Sequence, residues 1–267
     1  TYDYITDPGQ YYETHYAALK SYYMSKGFSE SDAHLRAATN VAGSSKNGGL
    51  AYNVYTVPEG QLLIGSNGKL NPAATLGRKI TYKDQEYLVQ PDNWLDNVYT
   101  PSLRQEYNAS VSGSTERASF YASLGVLDNK GIVEGQSMKR YTAKLRADYQ
   151  AKSWLKVGGN ASYAKYNWKN ASPDESAGST GSVFGMAIGM APIYPLFIRD
   201  GNGNILYDAQ GYKRYDFGNG QNAGLTRPTA TNSNALCTNL LDLDVSEGNA
   251  VNGTGYAEFK FLRDFTF

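Results

Sequence analysis

Between Tyr141 and Gln150 the chain alternates without a slip. Tyr141, Ala143, Leu145, Ala147 and Tyr149 fall on one parity; Arg140, Thr142, Lys144, Arg146, Asp148 and Gln150 fall on the other. A period of two belongs to an extended strand, whose successive side chains leave on opposite faces. The rhythm recurs elsewhere. Gln105–Gly113 sets Tyr107, Ala109 and Val111 against Glu106, Asn108, Ser110 and Ser112. Ala118–Leu127 sets Ala118, Phe120, Ala122, Leu124 and Val126 against Ser119, Tyr121, Ser123 and Gly125. Leu155–Tyr163 sets Leu155, Val157, Ala161 and Tyr163 against Lys156, Asn160 and Ser162, and Gly255–Phe261 opposes Ala257, Phe259 and Phe261 to Glu258 and Lys260. A further strand is expected to start at Phe265. The fold class is all-β, with antiparallel strands.

The connections between these strands alternate in length. Ser114–Glu116, Ala151–Ser153 and Leu262–Asp264 are short; Asp128–Ser137 is longer and Lys169–Val251 very long. All short turns then lie at one end of the sheet and all long loops at the other. A transmembrane β-barrel has that asymmetry, with short periplasmic turns and long extracellular loops, whereas nothing in a soluble sandwich forces it. Eight residues at ~3.3 Å, tilted by ~45°, place the Tyr141 and Tyr149 rings about 19 Å apart along a membrane normal. Tyrosines favour both lipid–water interfaces because the ring is buried while the hydroxyl stays wet. The candidate lipid-facing residues are therefore Tyr141, Leu145, Tyr149, Phe120 and Leu124, and the candidate lumen-lining residues Arg140, Lys144, Arg146 and Asp148. The three cations would be costly in a dry core and are ordinary beside water. A soluble antiparallel sheet with one solvated face alternates in the same way, so a soluble β-sandwich module that binds surface glycans stands as the alternative. The scarcity of Ile and Leu on the apolar face, against many Ala and Tyr, speaks for lipid.

Composition removes other classes. Lys plus Arg number 25 and Asp plus Glu 25, so no basic field exists to attract nucleic acid. Mean hydropathy is −0.51, and no stretch approaches the ~18–20 apolar residues of a spanning helix. A single cysteine, Cys237, excludes an internal disulfide framework. Thr1 is followed by no basic n-region or apolar h-region of a signal peptide.

Along the chain, residues 1–104 read as a loop-rich extracellular excursion with short helices, 105–168 as four strands, 169–251 as a long extracellular loop and 252–267 as further strands. Asp7-Pro8 marks a helix start, with Tyr12, Tyr16, Leu19 and Tyr23 at helical spacing and Gly27 as the stop. Ser29 with Asp32 opens a second helix through Ala38. The apolar run Val183–Ile198 contains Pro192 and Pro195, so it is read as a short helix or strand that packs internally or meets a partner. Asp200-Gly-Asn-Gly-Asn204 reads as a tight turn that feeds a strand.

No nucleophile, base and orienting group come together, and no catalysis is assigned. His15 and His34 lack further zinc ligands at suitable spacing. Asp242, Asp244 and Ser246 resemble the start of a calcium loop, but Glu247 and Gly253 stand where Gly and Glu are required, leaving an irregular extracellular calcium site as the weak alternative to no cofactor. Sequons at Asn108 and Asn160 fall mid-strand, where a glycan would block pairing or the lumen. Tyr11, Tyr12, Tyr22, Tyr23, Tyr52, Tyr55, Tyr212 and Tyr215 are open to two roles, stacking on sugar rings or packing the loops.

Several segments carry a family resemblance: DPGQYYETHYAALKSYY near Pro8, GKLNPAATLG at Gly68 and DNWLDNVY at Asp92. It continues through the run from Tyr107 to Tyr163, APIYPLFIRDGNGNILYD from Ala191, and TGYAEFKFLRDFTF at the end. Together they make the chain resemble part of a SusC/RagA-type TonB-dependent outer-membrane transporter. The resemblance implies a large barrel of about 22 strands in the outer membrane of a Gram-negative bacterium. It also implies a SusD-like surface lipoprotein as partner, energy from the TonB complex, and oligosaccharides or peptides as cargo. The plug and the TonB-interacting segment have no counterpart in these residues. The expectation is an early-to-middle piece of the barrel.

Overall fold

The structure, a computed structural model, describes residues 4–170, 182–242, 244–261 and 265–266. It divides into two compact units, one of residues 1–98 with 174–238 and one of residues 99–173 with 239–267.

The first unit begins with α1 (Pro8–Ser25), whose N-cap Asp7 accepts from the Gln10 amide, and α2 (Glu30–Asn40), capped by Ser29 through the Asp32 amide. Both helices start where the capping residues place them. Tyr12, Tyr16 and Leu19 form the buried stripe of α1, packing with Val41, Tyr52, Val54, Ile64 and Val89. Tyr16 and His34 share a 2.8 Å hydrogen bond between the helices, and His15 Nε2 lies 2.7 Å from the Gly48 carbonyl. Both histidines therefore serve helix packing.

The extended pieces of this unit are short: β1 (Tyr55–Thr56) pairs with β2 (Thr75–Leu76), and β3 (Arg78–Tyr82) with β4 (Gln85–Val89). The β3–β4 hairpin closes through Lys83 and Asp84, both at positive φ (50° and 62°), as a two-residue I′ turn requires. Sequence patterning missed it because Lys-Asp is not a usual I′ pair. Helix α3 (Trp94–Val98) follows, then α4 (Val183–Gly189). Beyond α4, Ile193, Tyr194, Leu196, Phe197 and Ile198 are all buried. The second half of the apolar run thus packs internally, while Phe184 in its first half is 48% exposed. Three short segments then close a ring at eight-residue spacing. The Leu206 amide donates to the Ile198 carbonyl (2.9 Å), Arg214 to Leu206 (2.8 Å) and Ile198 to Arg214 (2.9 Å). The intervening turns are held by Asp200, which accepts from the amides of Asn202 and Asn204, and by Asp208, which accepts from those of Gln210 and Tyr212. The expected Asp200 turn is therefore present.

The second unit is one six-stranded sheet in the order β10-β9-β8-β7-β6-β5, every neighbour antiparallel and consecutive in sequence. The strands are β5 (Arg104–Ser114), β6 (Ala118–Lys130), β7 (Ser137–Lys152), β8 (Leu155–Lys169), β9 (Val245–Phe261) and β10 (Phe265–Thr266). All but β10 reach 11 to 17 residues, long enough to cross a membrane at a tilt. Helix α5 (Ala235–Leu241) precedes β9. The turns after β5 and β7 are short, and the connections after β6 and β8 are longer, in the expected rhythm. The turn expected over Leu262–Asp264 lies outside the described residues, as does Phe267.

β6 and β8 run on to Lys130 and Lys169, past the alternation read in sequence, and the boundary that differs most is the start of β9. β9 begins at Val245, ten residues before Gly255, and stays in register with β8 from Lys169↔Val245 to Leu155↔Phe259. The segment is rich in Gly and Asn, which strands disfavour. Hydrogen bonding to β8 supplies what intrinsic preference does not.

Candidate functional site

Register turns the parity of each strand into two continuous faces. On the first, Ala109, Leu124, Ala143, Tyr163 and Val251 share one row across five strands, and Val111, Ala122, Leu145, Ala161 and Gly253 share the next. Further toward the short turns come Gly113, Phe120, Ala147, Gly159 and Gly255, then Ala118, Tyr149, Val157 and Ala257. Tyr107, Val126 and Tyr141 lie one row toward the long connections. All five residues singled out as apolar in sequence, Phe120, Leu124, Tyr141, Leu145 and Tyr149, lie on this face.

This apolar face is uncovered. Leu124 is 66% exposed, Leu145 56%, Tyr107 64% and Val251 76%. A shallow groove of about 570 Å³ runs along it, with Leu124, Leu145, Tyr163 and Val251 on its walls. At the short-turn end Trp154 stacks on Phe259, with ring centroids 6.3 Å apart. Gly113 faces the Phe120 ring so closely that a side chain there would collide with it, so the ring covers the bare backbone of its β5 neighbour.

The opposite face is polar. Its rows include Ser110–Ser123–Lys144–Ser162–Asn252 and Ser112–Tyr121–Arg146–Asn160–Thr254. Arg140, Lys144, Arg146 and Asp148 all lie here, in one column down β7. Asn108 and Asn160 lie on this face too, each paired within the sheet. The structure gathers a polar cluster around Asp148. Its carboxylate accepts from Arg146 Nε (3.2 Å), from Ser119 Oγ (3.3 Å) and from the Tyr256 hydroxyl. Lys156 Nζ sits 5.9 Å from the Tyr256 ring centre. Gly158, between Asp148 and Tyr256 in the same row, leaves the space they occupy; any β-carbon would strike both. Tyr256 and Ser119 were not singled out in sequence. The i to j pairing that brings them to Asp148 depends on register, and no local pattern carries it.

In the first unit the most constrained polar group is Asp92. It accepts from Arg199 through both guanidinium nitrogens (2.6 and 3.0 Å) and from the amides of Leu196 (2.8 Å) and Phe197 (3.2 Å). A second buried group joins Asp216, Asn222 and Asn234, whose amide donates to the Asp216 carbonyl. Burial raises the Asp216 carboxyl above its ordinary range, and burial pushes the Tyr194 phenol up to about 12. Tyr12, Tyr52 and Tyr55 are buried in the core and closed to sugar stacking, whereas Tyr22 and Tyr212 are more than half exposed. A separate recess of about 320 Å³ in this unit is bordered by Tyr11, Asp92, Trp94, Leu95 and Met190.

No protein-family profile matches the chain. In sequence it is similar to TonB-dependent receptor P26 of Formosa agariphila, 26% identical over 171 residues, which cover 61% of this chain and 16% of that receptor. It is also similar to TonB-dependent receptor SusC of Bacteroides thetaiotaomicron, 27% identical over 106 residues, covering 39% of this chain and 10% of that one. Among solved structures the RagAB peptide importer in its closed-closed state aligns with 71% of this chain and 18% of its own, at 20% identity and a TM-score of 0.47. The chain therefore spans less than a fifth of the length of the relatives it matches.

Proposed function

We propose that this chain, a segment of a SusC/RagA-like TonB-dependent transporter of the Gram-negative outer membrane, forms part of the barrel wall of a nutrient importer. One observation carries the reading: an uninterrupted antiparallel meander whose apolar face is exposed while its other face is polar and charged. A soluble sandwich would cover that apolar face with a second layer, so the exposure of Leu124, Leu145 and Val251 weighs against the glycan-binding module. Hydrocarbon is the medium that makes such a face favourable, and strands satisfy their backbone groups there only within a closed sheet.

On this reading Phe120, Leu124, Tyr141, Leu145 and Tyr149 meet lipid, and Arg140, Lys144, Arg146 and Asp148 line the hydrated interior. The family likeness supports a TonB-driven importer that works with a SusD-like surface lipoprotein, carrying oligosaccharides or short peptides. The cationic column on β7 favours anionic groups on that cargo. The first unit, with its own core and the exposed Tyr22 and Tyr212, is suited to the outer surface.

Single cysteines in the full-length transporter test the two faces. Probes at Leu124 and Leu145 should be reached by a lipid-confined quencher and spared by a charged thiol reagent, and a probe at Lys144 should behave oppositely. Equal access of the charged reagent to all three positions would overturn the reading.

A further inference from the structure

Above the apolar rows, at the long-connection end of the same face, the sheet carries a concentration of lysines that the import reading does not use. Lys130, Lys139, Lys165 and Lys169 all have the parity of Leu124 and Leu145. Lys130 and Lys169 flank Ser137 in one row, Lys139 lies in the next, and Lys165 shares the row of Tyr141. Two strand spacings of ~4.8 Å put Lys130 and Lys169 roughly 10 Å apart, and Lys165 is the diagonal neighbour of Lys139, at about 7–8 Å.

Two acids lie in the sheet rows of this rim, Asp128 and Glu247, and each is engaged locally. Lys139 Nζ lies 3.4 Å from Asp128, and the Asn167 amide donates to Glu247 at 2.5 Å. Lys165 has only Tyr141 and Asn249 as row partners. Glu134 borders the same recess as Lys130, Ser137 and Lys169, so among the described residues the rim holds four cations against three anions, and it sits directly above the apolar groove. The Tyr163 ring lines that groove, and its hydroxyl donates upward to Asn249 at 2.7 Å.

The height of the rim fits a membrane surface. From Tyr149 to Lys139 is ten residues of strand, which at ~3.3 Å and a ~45° tilt span about 23 Å, close to the ~25 Å apolar band of an outer-membrane barrel. The lysines therefore fall at the headgroup level of the leaflet on the long-loop side, where extended side chains keep their charge in water. Phosphates are the complementary charge, and acyl chains are the complementary filling for the groove below.

We propose that this rim and groove form a seat for a phosphorylated, multiply acylated glycolipid of the outer leaflet, with its phosphates on Lys130, Lys165 and Lys169 and an acyl chain against Leu124, Leu145 and Tyr163. The proposal rests on the apolar face being lipid-facing.

The test uses the full-length transporter in detergent micelles and, as probe, lipid A with and without its phosphates, read by native mass spectrometry. The triple variant Lys130→Gln, Lys165→Gln, Lys169→Gln should retain at least tenfold less phosphorylated lipid A than the parent. The parent should retain the dephosphorylated form as poorly as the variant does. A control on the opposite face, Lys156→Gln, should leave retention unchanged. Heat-dependent gel mobility confirms that each variant is a folded barrel, and, if the triple variant folds poorly, the single variants Lys165→Gln and Lys165→Arg give the second reading, with the glutamine lowering retention and the arginine keeping it near the parent's. Equal retention by parent and triple variant, or indifference to the phosphates, would overturn the seat. A preference for phosphatidylglycerol over lipid A would overturn it equally. Failure of the lipid-confined quencher to reach positions 124 and 145 would instead refute the lipid-facing reading itself, so the two failures are read separately.

Discussion

Asp92 and Arg199, more than a hundred residues apart in sequence, form a two-pronged ion pair at 2.6 and 3.0 Å, with side chains only 10% and 12% exposed. The same carboxylate also accepts the Leu196 and Phe197 amides. It therefore ties the entry to α3 to the buried strand-like run that follows α4. Geometry of this kind makes an ion pair strong, because planar donors match planar acceptors and few lone pairs stay unmet.

Asp92→Ala strands the Arg199 charge and two amides together. The expected cost to the first unit is about 3 kcal/mol, the lower end for breaking a buried pair. Hydrogen exchange should show the Leu196 and Phe197 amides losing protection by two or more orders of magnitude while those of α1 change less. Uniform protection across the unit would mean that the pair contributes little.

Neighbouring residues on β7 should respond oppositely to charge. Leu145→Arg puts a cation at the middle of the apolar face and is expected to cost about 2–4 kcal/mol of barrel stability. Lys144→Gln, one residue earlier on the polar face, should change stability by less than about 0.5 kcal/mol. Urea titration in liposomes of the full-length transporter measures both.

Gly158 holds open the space that Asp148 and Tyr256 share. Gly158→Val should displace the Tyr256 ring and break its bond to Asp148, while Tyr256→Phe removes the bond alone and costs about 1 kcal/mol. The valine variant should be the more damaging in thermal unfolding, because it adds a collision to the lost hydrogen bond. The reverse order would place Tyr256 away from Asp148.

Acid should loosen the link between α1 and the Leu70 segment. Glu13 accepts from the Leu70 amide (2.9 Å) and Lys69 Nζ (2.9 Å), and these bonds, the backbone one first, hold its carboxyl below the ordinary value of 4.5. A depressed folded value means the folded state binds protons less readily than the unfolded chain. The stabilisation is therefore complete above pH 4.5 and is lost as pH falls below it toward the folded value. Exchange at the Leu70 amide should accelerate over that window, beyond intrinsic chemistry, and Glu13→Gln should abolish the pH dependence.

Reversing the cationic column, with Lys144→Glu and Arg146→Glu together, should lower uptake of anionic oligosaccharides or peptides several-fold relative to uncharged ones. Competition between matched charged and neutral cargo reads this directly. Equal loss for both would mean that the column does not meet the cargo.

Alternation on β5 to β8, the caps at Asp7 and Ser29 and the rhythm of short and long connections were all legible in the residues. Each depends on neighbours a few positions apart, and so does the sorting of Leu145 from Lys144. The early start of β9 was not legible, since Gly248, Asn249, Asn252 and Gly253 extend only because β8 lies beside them. Tyr256 on Asp148 and Asp92 on Arg199 were hidden for the same reason. The sequence by itself determined which side chains share a face, because parity is a property of the backbone. Only the tertiary structure decided which residues from distant segments meet, because register and long-range closure are set by pairing energies summed over whole strands and a whole core.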